Sequence, residues 1–525
     1  MKENIKIFKN RPVAYFCAEY ALFDHTPLYT GGLGILAGDY INEIVKQNFP
    51  TIAMGLFYHK EHLHGLELSR ERKTPSELGL ELLKDRDGSI LKIPIFLGDH
   101  SANVQVWKWS KGQLTLLLLD TQVEENSPYD WTITDTLYVE DRDLRLKQEI
   151  ILGIGGMKVI KKLNINPSVY HLNEGHSSFM TSELISNIVE ENKVSFGEAV
   201  KIARERIVFT NHTLVQAGQE MFDVNAMKSI FSEDFIKLGY EESVKMFSMT
   251  NLALNMSSKV NAVSVLHGKM AKDLWSKYNK EVVTNGIFIE RWDNLKYYSH
   301  KESKRKLIDY IKQNNKITLD ENVLILGWSR RFVEYKRPLA ILGDVERFKK
   351  IAKDENRKVV IVYSSIVNKT YDKENHFIKE LEDIIDNDLQ DNVIFIPNYD
   401  MDIAKMMVSG CDVWLNTPEV GREACGTSGM KACLNGVLPL STSDGWIDEV
   451  DLTNIGWKVQ DGEITKNLLD ILEQQIVPSF YDDKNNWNDM MKNSRNLILN
   501  QFSTERMLNE YIKKMYLPIF SKSSH

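Results

Sequence analysis

Arg330-Arg331-Phe332-Val333-Glu334-Tyr335-Lys336-Arg337 sets four cations within eight residues, directly after the apolar run 322–329. At a strand-to-helix junction such a cluster can clamp phosphate, because guanidinium forks and ammonium groups give short, charge-assisted hydrogen bonds to its oxygens. Cations at a helix start oppose the macrodipole, and a bound anion would resolve that conflict; the plainer alternative is a solvated, charged helix start. In Glu423-Ala424-Cys425-Gly426-Thr427-Ser428-Gly429-Met430-Lys431, small residues lead into a helical stretch with a lysine one turn inside. Backbone N–H groups at 426–429 could receive a phosphate. A desolvated lysine has a lowered pKa and serves as a Schiff-base amine, while the bland alternative is a capped helix with a surface lysine. Tyr29-Thr30-Gly31-Gly32-Leu33-Gly34 opens an expected helix at 35–47. Glycines there let backbone approach a ligand, and the helix start favours an anion, though a plain turn has the same composition. His59-x-x-His62-x-His64 has metal-like spacing. It lies in a run of mixed charge with no nearby cysteine or carboxylate at a convincing strand end, so an exposed polar loop is the preferred reading. Trp107, Trp109 and Trp131, among ten tryptophans, could stack on sugar rings, although most tryptophans serve the core.

The elements that must position these residues follow from apolar periodicity. Residues 13–20, 50–57, 114–120, 167–173, 206–212, 262–268 and 280–286 read as strands, and a second series covers 322–329, 358–365, 392–398, 412–418 and 437–442. Helical patterns fall at 143–162, 196–206, 337–353, 373–387 and 464–475. Continuous apolar strands separated by helices imply parallel sheets covered on both faces. Two such series imply two doubly wound domains, 1–288 and 289–500, followed by a terminal helix and tail at 501–525. Ligands of such sheets sit at the carboxyl ends of the strands. Asn173-Glu174-Gly175-His176, Asn211-His212-Thr213, Thr284-Asn285-Gly286, Arg330-Arg331, Asn398-Tyr399 and Asn416-Thr417-Pro418 all fall at such ends.

The bulk properties narrow the class. A chain of 525 residues exceeds what one core usually supports. A net charge of −8 argues against nucleic-acid partners, so a phosphate ligand must be held by a local cluster. The start MKENIKIFKN lacks the apolar stretch of a signal peptide, and no apolar run approaches a bilayer span. Four scattered cysteines suit neither a disulfide scaffold nor a zinc ribbon. A reducing cytoplasm is the expected setting.

Taken in order, AYFCAEYALFDHTPLYTGGLGILAGDY, LYVEDRDLRLKQEIILGIGG, VYHLNEGHSSF, FTNHTLVQAG, VTNGIFIERW, RRFVEYKRP and VWLNTPEVGREACGTSGMKACLNGVLPLSTSDGW resemble the α-glucan (glycogen or maltodextrin) phosphorylases, above all the short bacterial form. The resemblance implies an α/β protein of GT-B architecture, two Rossmann-like domains facing a central cleft. It implies pyridoxal 5′-phosphate carried on Lys431, with Gly426 and Thr427 holding the cofactor phosphate and Arg330 nearby. In this family the cofactor's 5′-phosphate, not its ring, takes part in proton transfer. Inorganic phosphate attacks the terminal glucose of an α-1,4-glucan and gives α-glucose 1-phosphate with retained configuration.

By the same resemblance, Gly31, Gly32 and Gly34 would present backbone amides to the substrate phosphate, and Arg331 and Lys336 would bind it. His212, Asn285 and Glu423 would hydrogen-bond sugar hydroxyls, and Glu19, Asn173 and His176 would line the cleft. Cys425 stands where the family usually has a serine contacting the sugar, and Glu419-Val420-Gly421 replaces a more basic stretch. Compared with the long animal enzymes the N-terminal regulatory extension is missing, so control by phosphorylation or AMP is not expected. Family members are often homodimers, and no interface is legible in the residues. Two other readings compete: a glycogen-synthase-like transferase using a nucleotide sugar, which needs no Lys431, and a glucan-binding protein without activity.

Overall fold

The computed structural model describes residues 5–24, 26–60, 73–214, 219–272, 275–278, 280–365 and 372–522. The chain divides into two compact units. One comprises Met1–Val263, Gly268–Val283 and Met507–His525, and the other Ser264–His267 and Thr284–Arg506.

In the first unit Val13–Phe16, Thr51–Leu56, Val169–Asn173 and Ile207–Asn211 are buried at every position. That pattern follows from unbroken apolar runs covered on both faces. These strands join Leu114–Asp120, Lys259–Ala262 and Lys280–Val282 in one parallel array. Counted along the chain, the seven run 3-2-1-4-5-6-7 across the sheet, a doubly wound order. Its switch point lies between Val13–Phe16 and Val169–Asn173.

Reading only continuous apolar runs passes over 92–111. There Lys92–Phe96 alternates exposed and buried residues, and pairs antiparallel with Ser101–Lys111 at the sheet edge. A small antiparallel sheet, 240–241, 246–248 and 221–223, is likewise silent in that reading. The run expected as a strand at 262–268 is corrected: the strand ends at Ala262, and Val265–Met270 is helical. The capping hydroxyl of Ser264 accepts the N–H of His267 and turns the chain into that helix.

The second unit holds Leu324–Ser329, Val359–Ser364, Val393–Ile396, Val413–Asn416, Leu438–Thr442 and Trp457–Val459, all parallel. They lie in the order 3-2-1-4-5-6, so the switch point falls between Leu324–Ser329 and Val413–Asn416. The helix expected over 337–353 is also corrected to Val345–Ala352, after a short 3₁₀ turn at Ala340–Leu342. Arg337 sits at φ 46° before Pro338, and a residue preceding proline is excluded from helix for steric reasons. The chain therefore leaves the strand through a 3₁₀ turn, Glu334–Lys336, rather than a helix.

The C-terminal segment packs on the first unit. Met507, Leu508, Tyr511, Ile512, Met515, Tyr516 and Ile519 join its core. Tyr516 Oη lies 2.6 Å from Tyr40 Oη and 2.7 Å from His171 Nδ1, and Tyr511 Oη accepts from Asn261 at 2.9 Å. Burial pushes His171 down to about 3, so its neutral ring serves as a hydrogen-bonding wedge rather than a charge. Among the described residues no helix is long and apolar enough to cross a membrane.

Removing the Tyr516 hydroxyl would leave the buried His171 nitrogen without its partner. Tyr516→Phe is expected to lower stability by about 1–3 kcal/mol, read as a shifted urea midpoint of the first unit. An unchanged midpoint would show that the network carries no such energy.

Candidate active site

In the first unit, the chain leaving Val13–Phe16 reaches Glu19, 2% exposed. Its carboxylate accepts the backbone N–H of Thr30 at 3.0 Å and of Gly31 at 3.2 Å, and the hydroxyl of Tyr138 at 2.7 Å. Burial raises its pKa, and these donors work in the opposite direction. The carboxylate thereby serves the head of helix Gly32–Gln47, whose N-cap Gly31 has no side chain to do so. Gly34 is required sterically, since a Cβ there would lie 2.6 Å from both Glu19 Oε2 and Tyr29 Cβ. At Gly31 and Gly32 a Cβ would meet nothing within 4 Å. Those two glycines face open space at a helix start with no acidic residue in its first turn; the Gly31 N–H, expected to serve a substrate phosphate, is instead given to Glu19, so an anion there would reach only amides further into the helix head.

Tyr138 connects this loop to a buried charge cluster that sequence reading missed. Arg145, 3% exposed, places Nη2 3.0 Å from Glu149 Oε1 and Nε 2.9 Å from Glu220 Oε2. Its guanidinium lies 4.9 Å from the Tyr138 ring centroid. The run LYVEDRDLRLKQEIILGIGG contains both Arg145 and Glu149, and their i,i+4 spacing was the available signal. The ring of His176 lies 5.5 Å from that of Tyr138. Burial, and then the Arg145 charge, push its imidazole down to about 3, so it is neutral.

At the other side of the same switch point, the ladder sets Asn173 opposite Thr210. His212 Nε2 therefore reaches Asn173 Oδ1 at 2.7 Å, and Asn173 Nδ2 donates to Cys17 Sγ at 3.2 Å. Glu174 accepts the backbone N–H of His212. Burial pushes its carboxyl up to about 7, against the N–H groups of His212, Gly175 and Thr213. The structure thus gathers Glu19, the glycine loop, Asn173, His176 and His212 at the switch point of the first unit.

In the second unit, the chain leaving Leu324–Ser329 gives Arg330, whose side chain is 4% exposed. Its Nη1 donates to Glu423 Oε2 at 2.8 Å and its Nη2 to Ser428 Oγ at 3.0 Å. Burial opposes ionisation of Glu423, but the charges of Arg330 and Lys336 outweigh it and hold the pKa low. Arg331 is exposed and Lys336 half-buried. Arg337 departs from the other cations: it donates to Thr417 O at 2.8 Å and Pro418 O at 2.6 Å and pairs with Asp461. It fastens two loops and does not join the cluster at the strand end.

Gly426 takes φ 81°, a left-handed conformation suited to glycine, and starts helix Thr427–Leu434. That helix has no side-chain cap and no acidic residue in its first turn. Lys431 stands one turn after Thr427, 7% exposed, with Nζ 4.2 Å from the Trp292 ring centroid. Arg330 Nε, Asn416 Oδ1 and Asn285 Oδ1 are buried without hydrogen-bond partners among the described residues. Cys425 is buried, and burial raises its thiol pKa, partly offset by the backbone N–H of Asn285. Glu419 donates its N–H to Tyr335 O at 2.7 Å, tying the 419–421 stretch to the cationic turn.

Of the metal-like histidines, His62 and His64 lie outside the described residues, and His59 Nε2 contacts Asp120 Oδ1 at 2.8 Å. Trp107 donates to the same carboxylate at 2.9 Å, Trp109 packs edge-on against Phe23, and Trp131 is 38% exposed.

The family model described as carbohydrate phosphorylase matches residues 121–236 and 278–455. A maltodextrin phosphorylase of Thermococcus litoralis is 34% identical over 96% of this chain and 70% of its own. A glycogen phosphorylase of Aquifex aeolicus is 30% identical over 98% of this chain and 87% of its own. An uncharacterized protein of Methanocaldococcus jannaschii is 30% identical over 96% of this chain and 100% of its own.

The elevated Glu174 pKa carries a stability consequence. A carboxyl raised to about 7 in the folded state favours folding when protonated. Its contribution is complete below the ordinary carboxyl pKa of roughly 4.3 and is lost as pH rises through about 7. Unfolding free energy, measured in urea at pH 5 and pH 8, is expected to fall more steeply with pH in the native sequence than in Glu174→Gln. Parallel pH dependences would remove the assignment.

Proposed function

The chain belongs to the carbohydrate phosphorylase family, and from that premise we propose that it transfers the terminal glucose of an α-1,4-glucan to inorganic phosphate, giving α-glucose 1-phosphate with retention. The observation that carries the reading is the arrangement at the second switch point. There the Arg330 cation, held between Glu423 and Ser428, stands 3.8 Å from where a Cβ of Gly426 would lie, at an uncapped helix start. The GT-B arrangement, two Rossmann-like domains facing a cleft, is part of the same proposal. Its support is that each unit carries a doubly wound sheet with candidate residues at its switch point.

The residues fit pyridoxal 5′-phosphate. A left-handed Gly426 and an Arg330 Nε that is buried without a partner among the described residues suit a phosphate at the head of Thr427–Leu434. Gly426, Thr427 and Arg330 would hold that phosphate, and Lys431 would carry the cofactor covalently. When bound, the group supplies a phosphate able to exchange a proton with the substrate phosphate.

The chain's own residues do the rest. Arg331 and Lys336 would hold the substrate phosphate, together with amides at the head of Gly32–Gln47. Two phosphates close together repel, and cations with helix ends must offset that repulsion. His212, Asn285 and Glu423 would orient the sugar through its hydroxyls. The Asn285 Oδ1 is buried without a partner among the described residues, which suits a hydroxyl donor. Arg330 and Lys336 keep Glu423 ionised and therefore an acceptor. A cytoplasmic setting belongs to the same reading, supported by four free thiols at Cys17, Cys411, Cys425 and Cys433.

Purified protein given maltodextrin and inorganic phosphate is expected to release glucose 1-phosphate and to show a bound vitamin B6 chromophore, absent from Lys431→Ala. Failure to release it from any α-glucan would discard the reading. Lys336→Ala is expected to lower turnover by roughly 10²–10³, the loss typical of one preorganised charge contact. Wild-type kinetics in that variant would show that the phosphate lies elsewhere.

A further inference from the structure

We propose that Glu174 is a positioning residue: its strained backbone and its carboxylate, acting with Asn173, fix the place and the tautomer of His212. The inference rests on the sugar-contacting role given to His212 above, but its geometry is independent of that role.

Glu174 takes φ 70° and ψ 170°. Five of the ten other non-glycine residues with positive φ, Asn48, Lys193, Lys316, Arg337 and Glu463, have ψ between 20° and 59°, the left-handed helical well. Glu174 instead occupies a region that is essentially reserved for glycine. A side chain persists there only when its surroundings over-determine it, and such strain clusters at functional sites. The surroundings here are specific. Glu174 N–H donates to Thr210 O at 2.9 Å, extending the ladder one step past Asn173. Its φ then turns the carboxylate under the neighbouring strand end, where it accepts the His212 N–H and acts on the N–H groups of Gly175 and Thr213. A glycine would remove the strain but could not supply that carboxylate.

Asn173 holds the other end of the same residue. Asn173 is 3% exposed, and both ends of its amide are engaged by protein groups, Oδ1 by His212 and Nδ2 by Cys17. Cys17 Sγ donates to Glu19 O at 3.2 Å and accepts from Asn173 Nδ2, which leaves Oδ1 turned to the imidazole. An amide oxygen only accepts, so His212 Nε2 carries the proton at 2.7 Å. In the neutral ring Nδ1 is then the acceptor, the form that receives a hydrogen bond from a sugar hydroxyl. Backbone and ring of His212 are thus fixed from two successive residues at one strand end.

Three variants test this. Glu174→Gly relieves the strain and deletes the carboxylate; Glu174→Ala deletes the carboxylate and keeps the strain; Asn173→Leu removes the amide. Thermal unfolding is expected to leave the glycine variant at or above the native midpoint and the alanine variant below both. In steady-state kinetics both Glu174 variants are expected to lose up to roughly 10²-fold in kcat/KM for maltodextrin, the scale of a misplaced contact, with the KM for phosphate unchanged. Selective ¹⁵N-histidine labelling reads the tautomer without turnover. His212 is expected to show a protonated Nε2 in the native protein and to lose that bias in Asn173→Leu. Equal midpoints for the glycine and alanine variants would overturn the stored strain. Native kcat/KM in Glu174→Gly would overturn the positioning role, and an unchanged His212 signal in Asn173→Leu would overturn the tautomer assignment. Absence of glucose 1-phosphate release by the native protein would instead sink the functional reading, while the unfolding and labelling results would still decide this one.

Discussion

The reversal of strand order in each parallel sheet is the constraint on which the rest of the molecule depends. Where two adjacent strands send their connections to opposite faces, the carboxyl ends cannot be covered by the returning chain, and a crevice opens. In the first unit this occurs between Val13–Phe16 and Val169–Asn173, and in the second between Leu324–Ser329 and Val413–Asn416. Backbone groups released from the ladders at those points need partners, and the loops supply them with polar side chains. Glu19 takes up amides of the glycine loop, and Glu174 takes up that of His212. Buried polar groups that would be a liability elsewhere thereby become the framework of the candidate site.

The two units solve the same problem with opposite charge. The first concentrates buried carboxylates, Glu19 and Glu174, whose pKa values burial drives upward. The second concentrates cations, with Glu423 held ionised by Arg330 and Lys336 despite its burial. A net charge of −8 makes this local positive region a deliberate local exception rather than a general field. Arg337 illustrates how closely position decides role. One residue beyond Lys336, at φ 46°, it turns away to two carbonyls and an aspartate.

Stabilising elements reach the site through longer chains of contact. The Arg145 pair with Glu149 and Glu220 supports Tyr138, whose hydroxyl reaches Glu19. The C-terminal tyrosines brace His171, two residues before Asn173 on the same strand. Such contacts hold the groups they connect in one place, and a site that must orient a sugar benefits from that rigidity.

The sequence by itself determined much of this. Continuous apolar runs announced the buried parallel strands because a strand covered on both faces has no polar face to show. The Gly-rich loop, the cationic run at 330–337 and Lys431 in its small-residue setting were legible because their spacing is local. Tertiary structure alone decided the remainder. The antiparallel edge at 92–111 alternates and so escaped a search for unbroken runs. The helix expected from 337 was broken by Pro338 and the left-handed Arg337 before it. The strain at Glu174 is invisible in sequence, since a glutamate carries no mark of a positive φ. The meeting of Glu174 with His212, and of Cys17 with Asn173, depends on parallel register between distant strands. Register is set by the packing of whole faces, a property no short window of residues contains.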